Sequence, residues 1–215
     1  MTFSSSIGVR ELPLFPLPEL VLFPGRHLPL HIFEFRYRIM MNTLLQSDKR
    51  FGVLMLDPET REPASVGCCA EVLHYQRLPD DRMKVLTIGQ QRFRLLELIR
   101  EKPFRVGLVE WIDDKVSDED LQPLAADADQ LLRDVVHLSA KLTGQEIDLP
   151  ESIPSLPLEL SYWIASNLYG VADEQQSLLE MQDTARRLKR EVEILTSTRN
   201  HLAARTALKD LLEES

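Results

Sequence analysis

The stretch LPLFPLPELVLFPGRHLPLHIFEFRYRIMM, residues 12–41, carries five of the protein's thirteen prolines among its most apolar residues. It is either an exposed proline-rich ligand or the opening strands of a packed domain. Arg10, Pro13 and Pro16 have the R-x-x-P-x-x-P spacing of polyproline II ligands. Yet Leu12, Leu14, Phe15, Leu17, Leu20, Val21, Leu22 and Phe23 surround the prolines. Leaving so many apolar side chains in water forfeits roughly 1.5–3 kcal/mol each, and disordered segments have the opposite composition. The prolines therefore read as residues that start, edge and bend short strands, where no ladder hydrogen bond is required of them. Pro24-Gly25 reads as a turn, with proline fixing φ and glycine supplying a positive φ.

Outward from this stretch, short apolar runs punctuated by Gly, Pro and Asp continue to about residue 114. RFGVLML (50–56), VGCCAEVLHYQRL (66–78), MKVLTIG (83–89), QRFRLLELI (91–99) and FRVGLVEWI (104–112) each suit a strand. Pro79-Asp80-Asp81 reads as a hairpin turn, and residues 84–112 as an antiparallel meander with one wet face. One helix interrupts the strands at about residues 33–46, with Glu34 near its N-terminus. Stepping 100° per residue places Phe33, Tyr37, Met40, Met41 and Leu44 on a core-facing stripe and Phe35 and Ile39 on the opposite side. That second pair is either covered by another layer, such as the proline-rich opening, or exposed for a partner; coverage is the favoured reading.

Beyond residue 117 the period becomes helical. Leu121, Leu124, Ala128, Leu131, Val135, Leu138 and Leu142 recur at intervals of three or four, with Pro123 near the start. A loop follows, then Ser155 precedes a helix, LPLELSYWIASNLYG, ending at Gly170, and Asp173 with Gln176 has the spacing of a capping box. A last helix spans about 183–212, with Leu188, Val192, Leu195 and Leu202 in heptad-like positions and Asp183 placed to pair with Arg187. Such a helix packs across the helical region or offers a seam for a second copy. The expected division is a β-domain over 1–116 and an α-helical domain over 117–215.

At 215 residues, with 44% hydrophobic and 27% charged residues, the composition is that of a soluble globular protein large enough for a real core. No run of about 18 apolar residues exists, and residues 1–11 lack the apolar centre of a secretory signal, so the expected location is cytoplasmic, without membrane association. The net charge of −9 is uneven, about +1 over residues 1–116 and −10 over 117–215. The acidic half disfavours nucleic acid and anionic membranes. Cys68 and Cys69 are adjacent, which rules out an ordinary disulfide between them, and they read as plain thiols.

The segments LPLFPL, VLFPG, LPLHIFE, RYR, VGCCAEV, IGQQRFRLL and FRVGLVEWIDD, in that order, resemble the N-terminal domain of Lon proteases. SLPLELSYWIASNL and QQSLLEMQDTARRLKREVEIL are similar to the helical extension of the same family. Phe35 departs from the family, which commonly has proline at that first helical turn; the change marks Phe35 as a contact residue. The resemblance implies an α+β fold: a PUA-like, mostly antiparallel β-domain with one embedded helix, followed by an α-helical bundle. In Lon proteases these parts precede an ATPase and a proteolytic module, and the N-terminal region is thought to engage unfolded or damaged substrates.

No catalytic motif accompanies the resemblance. No G-x-x-x-x-G-K-[ST] loop, H-E-x-x-H or G-x-S-x-G occurs, and His27, His31, His74, His137 and His201 are scattered without metal-ligand spacing. No cofactor, metal or catalytic residue is therefore expected. The expected activity is non-catalytic recognition of other proteins or unfolded polypeptide segments, recruiting them to a separate protease or chaperone, with Phe35 and Ile39 as the contact surface and Arg92 and Arg94 at its charged margin. The alternative is RNA binding by Arg92, Arg94, Arg100, Lys102 and Arg105, with Phe93 or Phe104 for stacking.

Overall fold

The structure, a computed structural model, describes residues 8–145, 153–168 and 171–213. The expected helix end at Gly170, the middle of the loop before Ser155 and the first seven residues lie outside the described residues. The chain forms two compact units, Met1–Asp113 with Leu168–Gln182, and Asp114–Asn167 with Asp183–Ser215.

The first unit is built on six strands, β1 (Val9–Pro18), β2 (His27–Ile32), β3 (Arg50–Leu56), β4 (Val66–Arg77), β5 (Met83–Arg100) and β6 (Val106–Ile112), with α1 (Phe35–Leu44) between β2 and β3. The proline-rich opening is strand. Val9–Pro13 pairs antiparallel with β6, and the ladder passes at Leu14 to a parallel pairing with β3. All other pairings among the described residues are antiparallel. The runs 83–89 and 91–99 are one continuous strand of 18 residues, not two. Its first half pairs with β2 and its second half with β6, while β4 runs along its other edge. The ring β5-β4-β3-β1-β6 thus closes on β5, and β2 remains as a strand paired with β5 alone among the described residues. Gly25, at φ 74°, makes the turn into β2.

One core packs Phe15, Phe51, Val53, Val72, Met83 and Val85 against Tyr37, Met40, Met41 and Leu44 of α1. The Phe15 and Tyr37 rings lie 4.2 Å apart, and Phe51 meets Phe15 edge-on. A second cluster holds Leu12, Leu14, Leu54, Cys69, Phe93 and Val109. The expected stripe of α1 is buried except for Phe33, which precedes the helix and points outward.

A further helix, α4 (Ala172–Glu180), belongs to this unit although it follows α2 (Gln122–Thr143) and α3 (Pro157–Ser166) in sequence. A single boundary at residue 116 would have assigned it to the helical part. Polar anchors hold it to the strands. Arg92 donates from Nη1 to the carbonyls of Leu179 (2.6 Å) and Met181 (2.7 Å), and Gln176 Nε2 donates to Val66 O at 3.0 Å. The expected capping box is absent: Val171 is the N-cap, no side chain caps it, and Gln176 is spent on β4 and on Glu180.

The second unit contains α2, α3 and α5 (Thr184–Glu213). Ala125, Ala128 and Leu132 of α2, Leu160, Trp163 and Ile164 of α3, and Leu188 and Leu195 of α5 form its core. Gly144, at φ 68°, closes α2 in the left-handed conformation. Arg187 pairs with Asp114 rather than with Asp183, through Nη2 to Oδ2 at 2.6 Å, and both side chains are buried. Arg187 Nε donates to Ser161 Oγ, which donates to Glu191 Oε1 at 3.0 Å.

Candidate functional site

From His27 to Phe33 the chain alternates between outside and inside, and Glu34 and Phe35, at the start of α1, are both exposed. Leu28 and Ile32 are buried and Leu30 packs against the core, while His27, Pro29, His31, Phe33 and Phe35 are exposed. The two-residue period of a strand therefore runs one residue past β2 and places the Phe33 ring in solvent at 61% exposure, and the first residue of α1, Phe35, stands beside it at 70%. The His31 and Phe33 rings meet edge-on at 6.0 Å, and Arg38 lies 5.6 Å above the ring of Phe35. Isolated exposed apolar residues are ordinary. Two large aromatics two residues apart, continuous with an exposed strand face, are not.

That face forms a groove of about 390 Å³ across β2, β5 and β4. The register arranges its residues in two rows. Pro29, Leu86 and His74 lie side by side in one row, and His31, Lys84 and Gln76 in the next. The first row is largely apolar, and the second consists of hydrogen-bond donors with Lys84 at its centre. Among the described residues, no carboxylate lines the groove.

The outer edge of β2 pairs with no other strand among the described residues. The Gly89 N–H donates to Arg26 O at 2.8 Å, and Thr87 Oγ1 donates to Leu28 O at 2.9 Å, so the carbonyls of Arg26 and Leu28 face β5. By the alternation of an antiparallel ladder, the peptide groups of His27, Pro29 and His31 face away from it. Pro29 sits where its missing donor costs the fold nothing. Three other exposed apolar residues of the sheet have a local cause. Leu73, Leu96 and Ile99 occupy register shifts of the β4–β5 and β5–β6 ladders, where an extra residue is pushed out of the pairing.

Of the residues anticipated for partner contact, Phe35 stands in solvent, but Ile39 is partly buried against the core of α1 and offers little surface. Arg92 is not at a surface margin. It is 1% exposed, with its guanidinium turned onto the C-terminal carbonyls of α4. Arg94 is exposed and lies 3.4 Å from Gln182 Oε1. The arginines thus serve the attachment of α4, while Phe35 belongs to the β2–α1 surface. Phe93 and Phe104 are buried and unavailable for base stacking. Phe33 and the groove residues escaped the sequence reading because Phe33 was assigned to the helical period; strand alternation counted from His27 would have exposed it.

Both cysteine thiols are buried. Burial pushes the Cys69 thiol up to about 11 and the Cys68 thiol well above its ordinary value, so neither is a thiolate at neutral pH. No group of three or more His, Cys, Asp or Glu side chains able to hold a metal occurs among the described residues, and no helix described is long and apolar enough to cross a membrane.

The family model for the ATP-dependent protease La (LON) substrate-binding domain matches residues 11–197. The chain belongs to this family. Among curated relatives, Lon protease 2 of Myxococcus xanthus is 29% identical over 201 residues, covering 90% of this chain and 24% of its own length. Lon protease of Anaeromyxobacter dehalogenans is also 29% identical, over 199 residues and 24% of its length. The chain therefore spans about a quarter of the curated relatives it matches. A Lon N-terminal domain protein from Xanthomonas campestris superposes with a TM-score of 0.62 at 25% identity, covering 84% of this chain and 96% of that one. The N-terminal domain of Lon protease from the Mycobacterium avium complex shares the fold, with a TM-score of 0.67 at 16% identity, over 87% of this chain and 98% of that one. The α+β architecture with a mainly antiparallel sheet is that of Lon N-terminal domains.

Proposed function

We propose that this chain is a non-catalytic recognition module for extended polypeptide segments, acting through the β2–α1 surface and presenting what it holds to a protease or chaperone. The observation that carries the reading is the coincidence of a strand edge unpaired among the described residues, the groove beside it and the exposed rings of Phe33 and Phe35. A segment laid along β2 gains backbone hydrogen bonds from the edge and buries apolar side chains against Phe33, Leu86 and Pro29. Family membership supports it, since the matched model is a substrate-binding domain.

The test is binding of a fluorescently labelled, permanently unfolded polypeptide, read by anisotropy. Replacing both Phe33 and Phe35 by Ser is expected to weaken binding at least about tenfold, because each ring contributes roughly 1.5–3 kcal/mol on full burial. Circular dichroism should be unchanged, as neither ring belongs to the core. Equal binding by the variant and the wild type would contradict the proposal.

A further inference from the structure

The two rows of the groove differ in chemistry, and that difference specifies a ligand pattern. Side chains of an added strand continue the rows of the sheet it joins, with a spacing of two residues along the chain. Opposite Pro29 and Leu86 an apolar side chain is favoured. Opposite His31 and Lys84 the facing group meets a cation that makes no ion pair among the described residues. Opposite Phe33 an apolar side chain is again favoured. The neighbouring cations are already engaged: Arg82 pairs with Asp80, Arg36 pairs with Glu34 at 2.8 Å, and Arg77 donates to Asn42. Lys84 is thus the cation that lines the groove, and among the described residues no carboxylate lines it to oppose that charge.

We propose that the groove selects extended polypeptide segments of the form apolar-x-acidic-x-apolar, with the Asp or Glu carboxylate set against Lys84. This rests on the polypeptide-recognition reading and names the class of segment it takes. The pattern reads the same in both chain directions, so it holds for parallel and antiparallel addition to β2. Pro29 deprives the edge of one donor, which leaves side-chain complementarity a larger share of the discrimination. The net charge of −9 repels acidic ligands at long range. At physiological salt, screening within about 8 Å leaves the local row to decide.

Three labelled nonapeptides test this, identical except for Glu, Gln or Lys at the middle of a Leu-x-Glu-x-Leu core. The Glu peptide is expected to bind about fivefold more tightly than the Lys peptide, with the gap narrowing as salt is raised. Lys84→Glu should reverse the order and Lys84→Ala should remove it; both side-chain changes lie on the exposed face and spare the core. A fourth peptide with Glu moved by one position should lose the preference, since a shift of one turns the carboxylate to the other face. Equal affinity for all peptides would overturn the charge selection while leaving polypeptide recognition standing. Absence of binding by every peptide and by the unfolded polypeptide would overturn both.

Discussion

Arg92 shows how far a residue's role can depart from its type. In RFRLLEL it alternates with apolar neighbours as a wet-face arginine would, yet it is buried with two carbonyls of α4 on one guanidinium nitrogen. Those acceptors come from a segment 87 and 89 residues later in the chain, which local periodicity does not register. Arg92→Met is expected to destabilise the protein by about 2–4 kcal/mol, because it strands buried acceptors. Urea unfolding measures this, and Arg92→Lys should restore only part, lacking the guanidinium fork. Glu191 makes a second case. Burial holds its carboxyl well above its ordinary value of 4.5, against the opposing pull of Arg187 and the Ser161 hydrogen bond. A raised folded-state value means that the native state binds the proton more tightly. The contribution is complete below about pH 4.5 and is lost as pH rises from there towards the raised folded value. Glu191→Gln should therefore flatten the fall in stability above pH 4.5, as urea midpoints from pH 4 to 8 would reveal; a slope identical to the wild type would contradict this account of Glu191.

At the scale of elements, most of the architecture was legible because it rests on periodicity and turn chemistry. β3, β4, β6, α1, α2, α4 and α5 begin and end within a few residues of their sequence positions, and α3 begins where expected but ends at Ser166. Proline and glycine were the harder residues. Gly89 looked like a break between two strands, but β5 runs through it, because a Cβ there would collide with the carbonyl oxygen of Phe23. Gly89→Ala is accordingly expected to cost about 2–4 kcal/mol and to lower the thermal midpoint. Phe33 was lost to the wrong period, since three residues cannot by themselves distinguish the end of a strand from the start of a helix. The missing capping box has a similar origin: Asp173 and Gln176 have the spacing, but Gln176 gains more from the Val66 carbonyl.

For the whole molecule, the family and its fold were legible in the ordered motifs, whereas the candidate surface was only half so. Phe35 was found because it breaks the family pattern. The groove was not, because it is assembled from three strands whose register no local window contains. The molecular account predicts binding without turnover, so the purified chain should neither cleave a labelled unfolded protein nor hydrolyse ATP in assays run alongside the binding measurements. The decisive question is where a polypeptide sits on the molecule. Amide hydrogen exchange, recorded with and without a saturating unfolded polypeptide, addresses that directly. Slowed exchange concentrated at residues 27–35, with the outward-facing amides of His27 and His31 among those protected, is the predicted result. Binding that leaves this segment unprotected while protecting another part of the chain would contradict the account.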